Sequence, residues 1–260
     1  MSLSIAEWHQ RYQQQARWTQ ELRHLVYSFP WFKGAQKIIE FGCGTGAILE
    51  ELSSHNFPFI IGLDIEFEPL KFGESINPAI VLTQADAYQT PFDSSTFDIC
   101  FCHYLLLWTK NTDHIIDEMV RITKPGGWII AFAEPDYGGR IDYPFELNEI
   151  GKAQIQSLIH QGANPFIGRT LKSLFIKSGM IEITCGILGA QWSIYEESDV
   201  SLESNVLVSD LDLLNNYPDP INIEYLRSLQ QLDNQSWKDQ TRVLYVPTFY
   251  AWGKVNKSCF

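Results

Sequence analysis

Between residues 37 and 135, short apolar runs alternate with stretches of helical periodicity. KIIEF (37–41) ends in glycines, and AILEELSS (47–54) follows with helical spacing. FIIGLD (59–64), AIVLTQAD (79–86), FDICFCHY (97–104) and WIIAFAEP (128–135) are further apolar runs, with helices expected over 66–76 and 112–123. Short continuous apolar runs separated by amphipathic helices predict buried parallel strands joined by crossovers. Lys124-Pro125-Gly126-Gly127 reads as the turn into the fifth strand. Right-handed crossovers put the strands' carboxyl ends on one edge, where ligands bind in such sheets.

The flanks are less regular. Ser4 with Glu7 three residues on forms a capping box, which predicts one helix over 4–28, stopped by Pro30. Helices are expected over 144–162 and 168–178, and strands over 180–188 and 242–255, with Pro247 marking an edge or bulge. Residues 191–241 are acidic and helical in pattern, an insertion of the kind that serves as a lid. The expected fold is α/β: a doubly wound, seven-stranded, mostly parallel sheet, with an N-terminal helix and a helical insertion before the last strand. The segments are 1–34, an α/β core over 35–190, the insertion 191–241, and a returning strand in 242–260.

Composition narrows the partners. The chain has 260 residues, 45% of them apolar, with 31 acidic and 19 basic side chains and a net charge of −12. The field has the wrong sign for nucleic acid or an anionic membrane surface, so neither is expected as a partner. Neither a membrane span nor a secretory signal is legible, which leads to the expectation of a cytoplasmic protein. The cysteines (Cys43, Cys100, Cys102, Cys185, Cys259) are odd in number and have no zinc-site spacing, so reduced thiols and no metal are expected.

The sharpest chemical signal is Glu40-Phe41-Gly42-Cys43-Gly44-Thr45-Gly46, at a strand-to-helix junction. Glycines there permit positive φ and close backbone approach to a ligand. The lack of a Gly-Lys-Ser/Thr ending rules out a phosphate loop, whereas Gly42, Gly44 and Ala47 fit a permissive dinucleotide loop. Asp64, 22 residues past Gly42 at the end of the second strand, suits ribose hydroxyls in either nucleotide reading. Asp86, closing the third strand, can accept from an adenine amino group while the Ala87 N–H donates to the ring. Neither Arg nor Lys occurs from Ile38 through Leu70, which suits a sulfonium ligand better than a pyrophosphate.

Residues 36–135 resemble the class I S-adenosylmethionine-dependent methyltransferases, in particular the small-molecule branch (the type 11 and type 25 groups). The resemblance implies methyl transfer from S-adenosylmethionine, with S-adenosylhomocysteine as product, to a small-molecule acceptor; the chain's own aromatic side chains permit an aromatic or apolar one. It assigns Glu40, Phe41, Gly42, Cys43, Gly44 and Gly46 to the methionine end of the cofactor. Asp64 and Ile65 go to the ribose side, Asp86 and Ala87 to the adenine, and Cys102, His103 and Tyr104 to the methyl-transfer pocket. Strand four ends in CHYLLLW and not in the Asn/Asp-Pro-Pro-Tyr/Phe signature of nucleic-acid and glutamine N-methyltransferases.

Beyond the shared core, Arg11, Tyr12, Arg17 and Trp18 are placed to fold over the cofactor's carboxylate, with Arg17 the cofactor contact. His103 is the candidate general base, since imidazole titrates near neutrality. Glu134, Asp136 and Arg140 are candidates for a polar acceptor; Tyr104, Trp108, Tyr137, Tyr143, Trp192 and Tyr195 are candidates for an aromatic one. Tyr250 and Lys254 match a dehydrogenase spacing but fall in an expected strand, where they do not share a helical face. A monomer or homodimer is expected. Two other readings stay open here: an NAD-dependent oxidoreductase on the same sheet, and a binding module that holds S-adenosylmethionine without transfer.

Overall fold

The computed structural model describes residues 3–55, 57–189, 197–214 and 223–256. The chain opens with helices α1 (Ile5–Trp18), α2 (Gln20–Ser28) and a single turn α3 (Pro30–Lys33). The core then runs β1 (Lys37–Phe41), α4 (Ala47–Ser53), β2 (Phe59–Asp64), α5 (Phe67–Ile76), β3 (Val81–Gln84), β4 (Phe97–Cys102), α6 (Thr112–Ile122) and β5 (Thr123–Pro135). Beyond it come β6 (Ile141–Tyr143), α7 (Asn148–His160), α8 (Leu171–Lys177), β7 (Ile181–Ile187), α9 (Glu197–Leu214), α10 (Ile223–Lys238), β8 (Val243–Tyr245) and β9 (Thr248–Lys254).

The main sheet has seven strands in the order β3-β2-β1-β4-β5-β9-β7. β1 through β5 are mutually parallel; β9 enters antiparallel between β5 and β7. Successive residues of the central strands feed opposite faces. Ile38, Ile99, Phe101, Ile130 and Phe132 pack with α4 and the N-terminal helices. Ile39, Cys100, Cys102, Ile129 and Ala131 pack with α6 and α8. Burial on both faces is why these strands read as continuous apolar runs. A third, smaller cluster joins Leu147, Ile150 and Ala153 to Leu229, with Leu207 and Leu232 against it, so the insertion packs on α7.

The structure departs from the sequence pattern in four places. The expected helix over 4–28 breaks at Thr19. There the Ala16 carbonyl accepts from Arg23 Nη1 at 2.7 Å and from the Thr19 N–H at 3.2 Å, which turns the chain. Pro30 begins the short α3, where its missing N–H costs nothing. Residues 124–127 are not a free turn but the bulged start of β5. Phe97 pairs with Thr123 and Ile99 with Trp128, and Gly126 takes φ +84°. The last expected strand is two strands split at Pro247: β8 pairs with β6 in a separate sheet, and only β9 joins the main one. The expected helix over 144–162 starts at Asn148, because residues 145–147 form a 3-10 turn.

Candidate active site

At the carboxyl edge, β1 hands over to α4 through a loop that needs glycine three times. Gly42, Gly44 and Gly46 have φ of +68°, +52° and +79°, a region L side chains rarely adopt. The loop is knitted to the next strands. Asp64 Oδ2 accepts the Gly44 N–H at 2.8 Å, Asp64 Oδ1 accepts the Glu66 N–H at 3.0 Å, and the Ala85 N–H donates to the Asp64 carbonyl at 2.9 Å. Gly44, Asp64 and the Ala85-Asp86-Ala87 corner therefore lie at one edge. Asp86 is exposed and its Oδ1 accepts the Tyr88 N–H at 2.8 Å, so its carboxylate also shapes the turn it stands in. Ile65 is 60% exposed beside Asp64, an apolar surface at the same edge.

Glu40 lies beneath this loop. It is buried, and its Oε2 has no hydrogen-bond partner. Burial pushes its carboxyl well above the usual carboxylate range, against the opposing pull of the Arg23 guanidinium. Phe41 and Cys102 are fully buried core side chains, so toward a ligand they offer backbone only. Burial raises the Cys43 and Cys102 thiols far above their usual range, which leaves both un-ionised.

Helix α1 covers the loop. His9 Nδ1 lies 2.8 Å from Thr45 Oγ1, and a Cβ placed on Gly44 would lie 3.0 Å from the Tyr12 ring. Burial, then Asp64 and Glu66, pushes the Tyr12 phenol up to about 12. At the α1–α2 break, His103 Nε2 meets Thr19 Oγ1 at 2.8 Å, and Arg23 donates to the same oxygen and to Glu51. Burial, helped by Arg23, holds the His103 imidazole well below its usual range. His103 is thus neutral and engaged with Thr19, outside the cavity wall described next, and from there it ties the α1–α2 junction to the end of β4.

A cavity of about 360 Å³ lies on the other side of α1. Arg11, Gln14, Gln15 and Trp18, spaced to share one helical face, line it from α1. Tyr104, Pro135 and Tyr137 form its floor at the ends of β4 and β5. The insertion contributes Val200, Glu203 and Trp237, and the β8–β9 segment Leu244, Tyr245, Val246 and Thr248. Arg11 bonds Gln14 and pairs with Glu203, which ties α1 to α9. Tyr104 has φ +54°, and the turn it makes sets Leu105 against Gly42: a Cβ there would lie 2.6 Å from Leu105 Cδ1. The residue that floors the cavity is therefore adjacent to the one that props the glycine loop.

Several expected residues have other work. Arg17 is exposed and stands off the cavity-facing stripe of α1, which Arg11 joins instead. Glu134 is buried and accepts the N–H groups of Leu105, Leu106 and Leu107 at 2.9–3.1 Å. It caps that turn and does not face a ligand; burial lifts it to about 8 against those three bonds. Asp136 is held by Arg169 and the Gly138 N–H. Of the expected aromatics, Tyr104 and Tyr137 line the cavity, while Trp108 and Tyr143 are 47% and 48% exposed and outside its wall. Trp192 and Tyr195 lie outside the described residues. Trp237, Tyr245, Thr248 and Glu203 carried no local signal, since only tertiary pairing brings them to the site. Tyr250 and Lys254 lie on β9, where Lys254 bonds Glu182.

Comparison with known proteins agrees with this geometry. Residues 39–131 match the model of the methyltransferase domain family. An uncharacterized methyltransferase of Schizosaccharomyces pombe is 24% identical, over 90% of this chain and 84% of its own. A demethylmenaquinone methyltransferase of Streptomyces avermitilis is 29% identical, over 46% of this chain and 51% of its own, so that alignment spans about half the relative. Among solved structures, a Haemonchus contortus phosphoethanolamine N-methyltransferase in complex with S-adenosylmethionine superposes with a TM-score of 0.57 at 17% identity. That superposition covers 92% of this chain and 52% of that one. The antiparallel β9 between β5 and β7 departs from the 3-2-1-4-5-6 order of dinucleotide-binding sheets, which counts against the oxidoreductase reading. Glycine loop, strand order and domain match coincide, and residues 39–131 are a methyltransferase domain on the fold that its solved neighbours share.

Proposed function

We propose that the protein transfers a methyl group from S-adenosylmethionine, bound at the glycine loop, to a small apolar or aromatic molecule held in the neighbouring cavity. The observation that carries this reading is the shared wall: Tyr12 of α1 covers the loop while Arg11, next in sequence, faces the cavity. The residues present fit the cofactor. The orphaned Glu40 Oε2 suits a cationic ammonium nearby. The glycine loop carries no side chain of its own between its backbone and the covering Tyr12, so a ligand taking the place of that ring would reach the backbone, and Asp64, with lone pairs to spare on both oxygens, suits ribose hydroxyls. Ile65 offers an apolar face and Asp86 an acceptor for the adenine. When bound, S-adenosylmethionine supplies an electrophilic methyl.

The chain's own contribution is positioning. Methyl transfer is an in-line displacement, and holding the reacting atoms collinear in a closed pocket supplies much of the acceleration. Tyr104 and Leu105 fix the seam between the two compartments, and α1 and α9, tied by Arg11–Glu203, shield it from water. The cavity wall is mostly aromatic and aliphatic, which fits an acceptor of ring type such as the one in the name of the demethylmenaquinone relative.

Calorimetric titration with S-adenosylhomocysteine tests the cofactor half. Wild-type protein binds it, and Asp64→Ala weakens binding by about 1–3 kcal/mol, the range for a hydrogen bond to a charged group. Unchanged affinity in Asp64→Ala overturns the ribose assignment, and no binding by folded wild type overturns the whole reading.

A further inference from the structure

We propose that the cavity selects an uncharged aromatic acceptor, and that the Tyr104 oxygen receives the acceptor's O–H or N–H and so sets its orientation. The proposal rests on the methyl-transfer reading above and adds to it the charge class of the substrate and the residue that aligns it.

Charge is the first argument. Three charged side chains line the cavity among the described residues: Arg11, Arg140 and Glu203. None is uncompensated. Arg11 pairs with Glu203. Arg140 bonds Asp142 at 2.6 and 3.0 Å and also Gln154. Asp142 is shared with Arg242, whose second carboxylate is Asp233, each at 2.6 Å. The assembly therefore holds two cations and two anions, with Asp142 and Arg242 side chains 1% exposed. An anionic acceptor would find no spare cation among the described residues, and taking Arg11 or Arg140 would break a pair whose arginine is only 9% or 7% exposed. Among the described residues, a cationic acceptor meets the same obstacle with Glu203. A neutral molecule leaves every pair intact and covers the aromatic wall.

Tyr104 supplies the second argument. Positive φ is uncommon for a bulky side chain and persists only where surrounding structure imposes it. Here the Tyr104 N–H is held by the Ala133 carbonyl at 2.8 Å, and the next three N–H groups by Glu134. Tyr104 lines the cavity, and Leu105 after it packs against Gly42 of the glycine loop. Thr248 stands beside the Tyr104 hydroxyl, and Thr248 Oγ1 donates to the Val246 carbonyl at 3.2 Å. A phenol oxygen carries two lone pairs and Thr248 can occupy at most one of them, so one stays for an incoming donor. Burial pushes the phenol up to about 12, so it stays un-ionised at neutral pH and adds no charge to the wall.

The test is a ligand-observed NMR titration at pH 7 with four matched probes: 2-naphthol, 2-methylnaphthalene, 2-naphthoate and 2-naphthylmethylammonium. It is run with and without S-adenosylhomocysteine. 2-Naphthol is expected to bind at least about tenfold more tightly than either ion. Either ion binding as tightly as 2-naphthol overturns the charge assignment. In Tyr104→Phe the affinity ratio of 2-naphthol to 2-methylnaphthalene is expected to fall about 3- to 10-fold, one hydrogen bond's worth. A ratio taken within one sample does not depend on how much of the variant is folded, so an unchanged ratio overturns the role of Tyr104. Loss of S-adenosylhomocysteine binding with probe selectivity intact would overturn the methyl-transfer reading alone. Cofactor binding without probe binding would overturn this proposal alone.

Discussion

Replacing Gly44 with alanine probes the closest approach of α1 to the glycine loop. Two costs follow from the geometry. The residue sits at φ +52°, where a side chain costs roughly 1–2 kcal/mol. The new methyl would also lie 3.0 Å from Tyr12 Cε2, tighter than ordinary van der Waals contact. The Tyr12 ring is backed by the stacked Trp8 ring, with centroids 6.0 Å apart, so crowding adds about 1 kcal/mol, the low end of overpacking costs. Urea unfolding of Gly44→Ala should therefore show a loss of about 2–3 kcal/mol. Tyr12→Ala removes the obstacle but not the backbone strain. The double variant should thus be about 1 kcal/mol more stable than the two single losses predict, while the backbone part persists. Additivity within about 0.3 kcal/mol would refute the contact between α1 and the loop, and with it the shared wall on which the two-compartment site depends.

Two further perturbations reach other parts of the argument. Arg242→Met leaves Asp142 and Asp233 with Arg140 as their one remaining arginine partner among the described residues, and should destabilise the fold by about 3–5 kcal/mol. A loss under about 1 kcal/mol in denaturant unfolding would contradict the paired-charge picture of the cavity wall. The depressed His103 imidazole makes the unfolded chain bind the proton first as pH falls. Its contribution is absent above the ordinary histidine range and costs stability at up to about 1.4 kcal/mol per pH unit below about 6.5. His103→Asn should flatten that slope between roughly pH 6.5 and 5; an unaltered slope in urea melts across that window would refute the neutral, Thr19-bonded state.

How much of this was legible beforehand follows from the range of each interaction. The central strands, their helices and the glycine loop are local matters. Ile38, Ile39, Phe41, Phe97 and Ile99 to Cys102 are apolar because both faces are covered, and positions 42, 44 and 46 are glycine because each takes positive φ. The place of Asp64 at the edge beside the glycine loop was readable from its spacing, and there its carboxylate accepts the Gly44 N–H. What the pattern did not carry was partner choice among distant segments. Arg23 draws off the Ala16 carbonyl and bends one expected helix into two. Pro247, without an N–H to give a ladder, lets β8 leave for β6 while β9 enters the main sheet. Glu134 looked like an acceptor ligand until three N–H groups of the following turn were seen to use it. The cavity is the extreme case, with walls from α1, the ends of β4 and β5, the insertion and β9. Periodicity records which way a side chain faces within its own element; which elements then meet is settled by burial and pairing across the whole chain, and only the tertiary structure decides that.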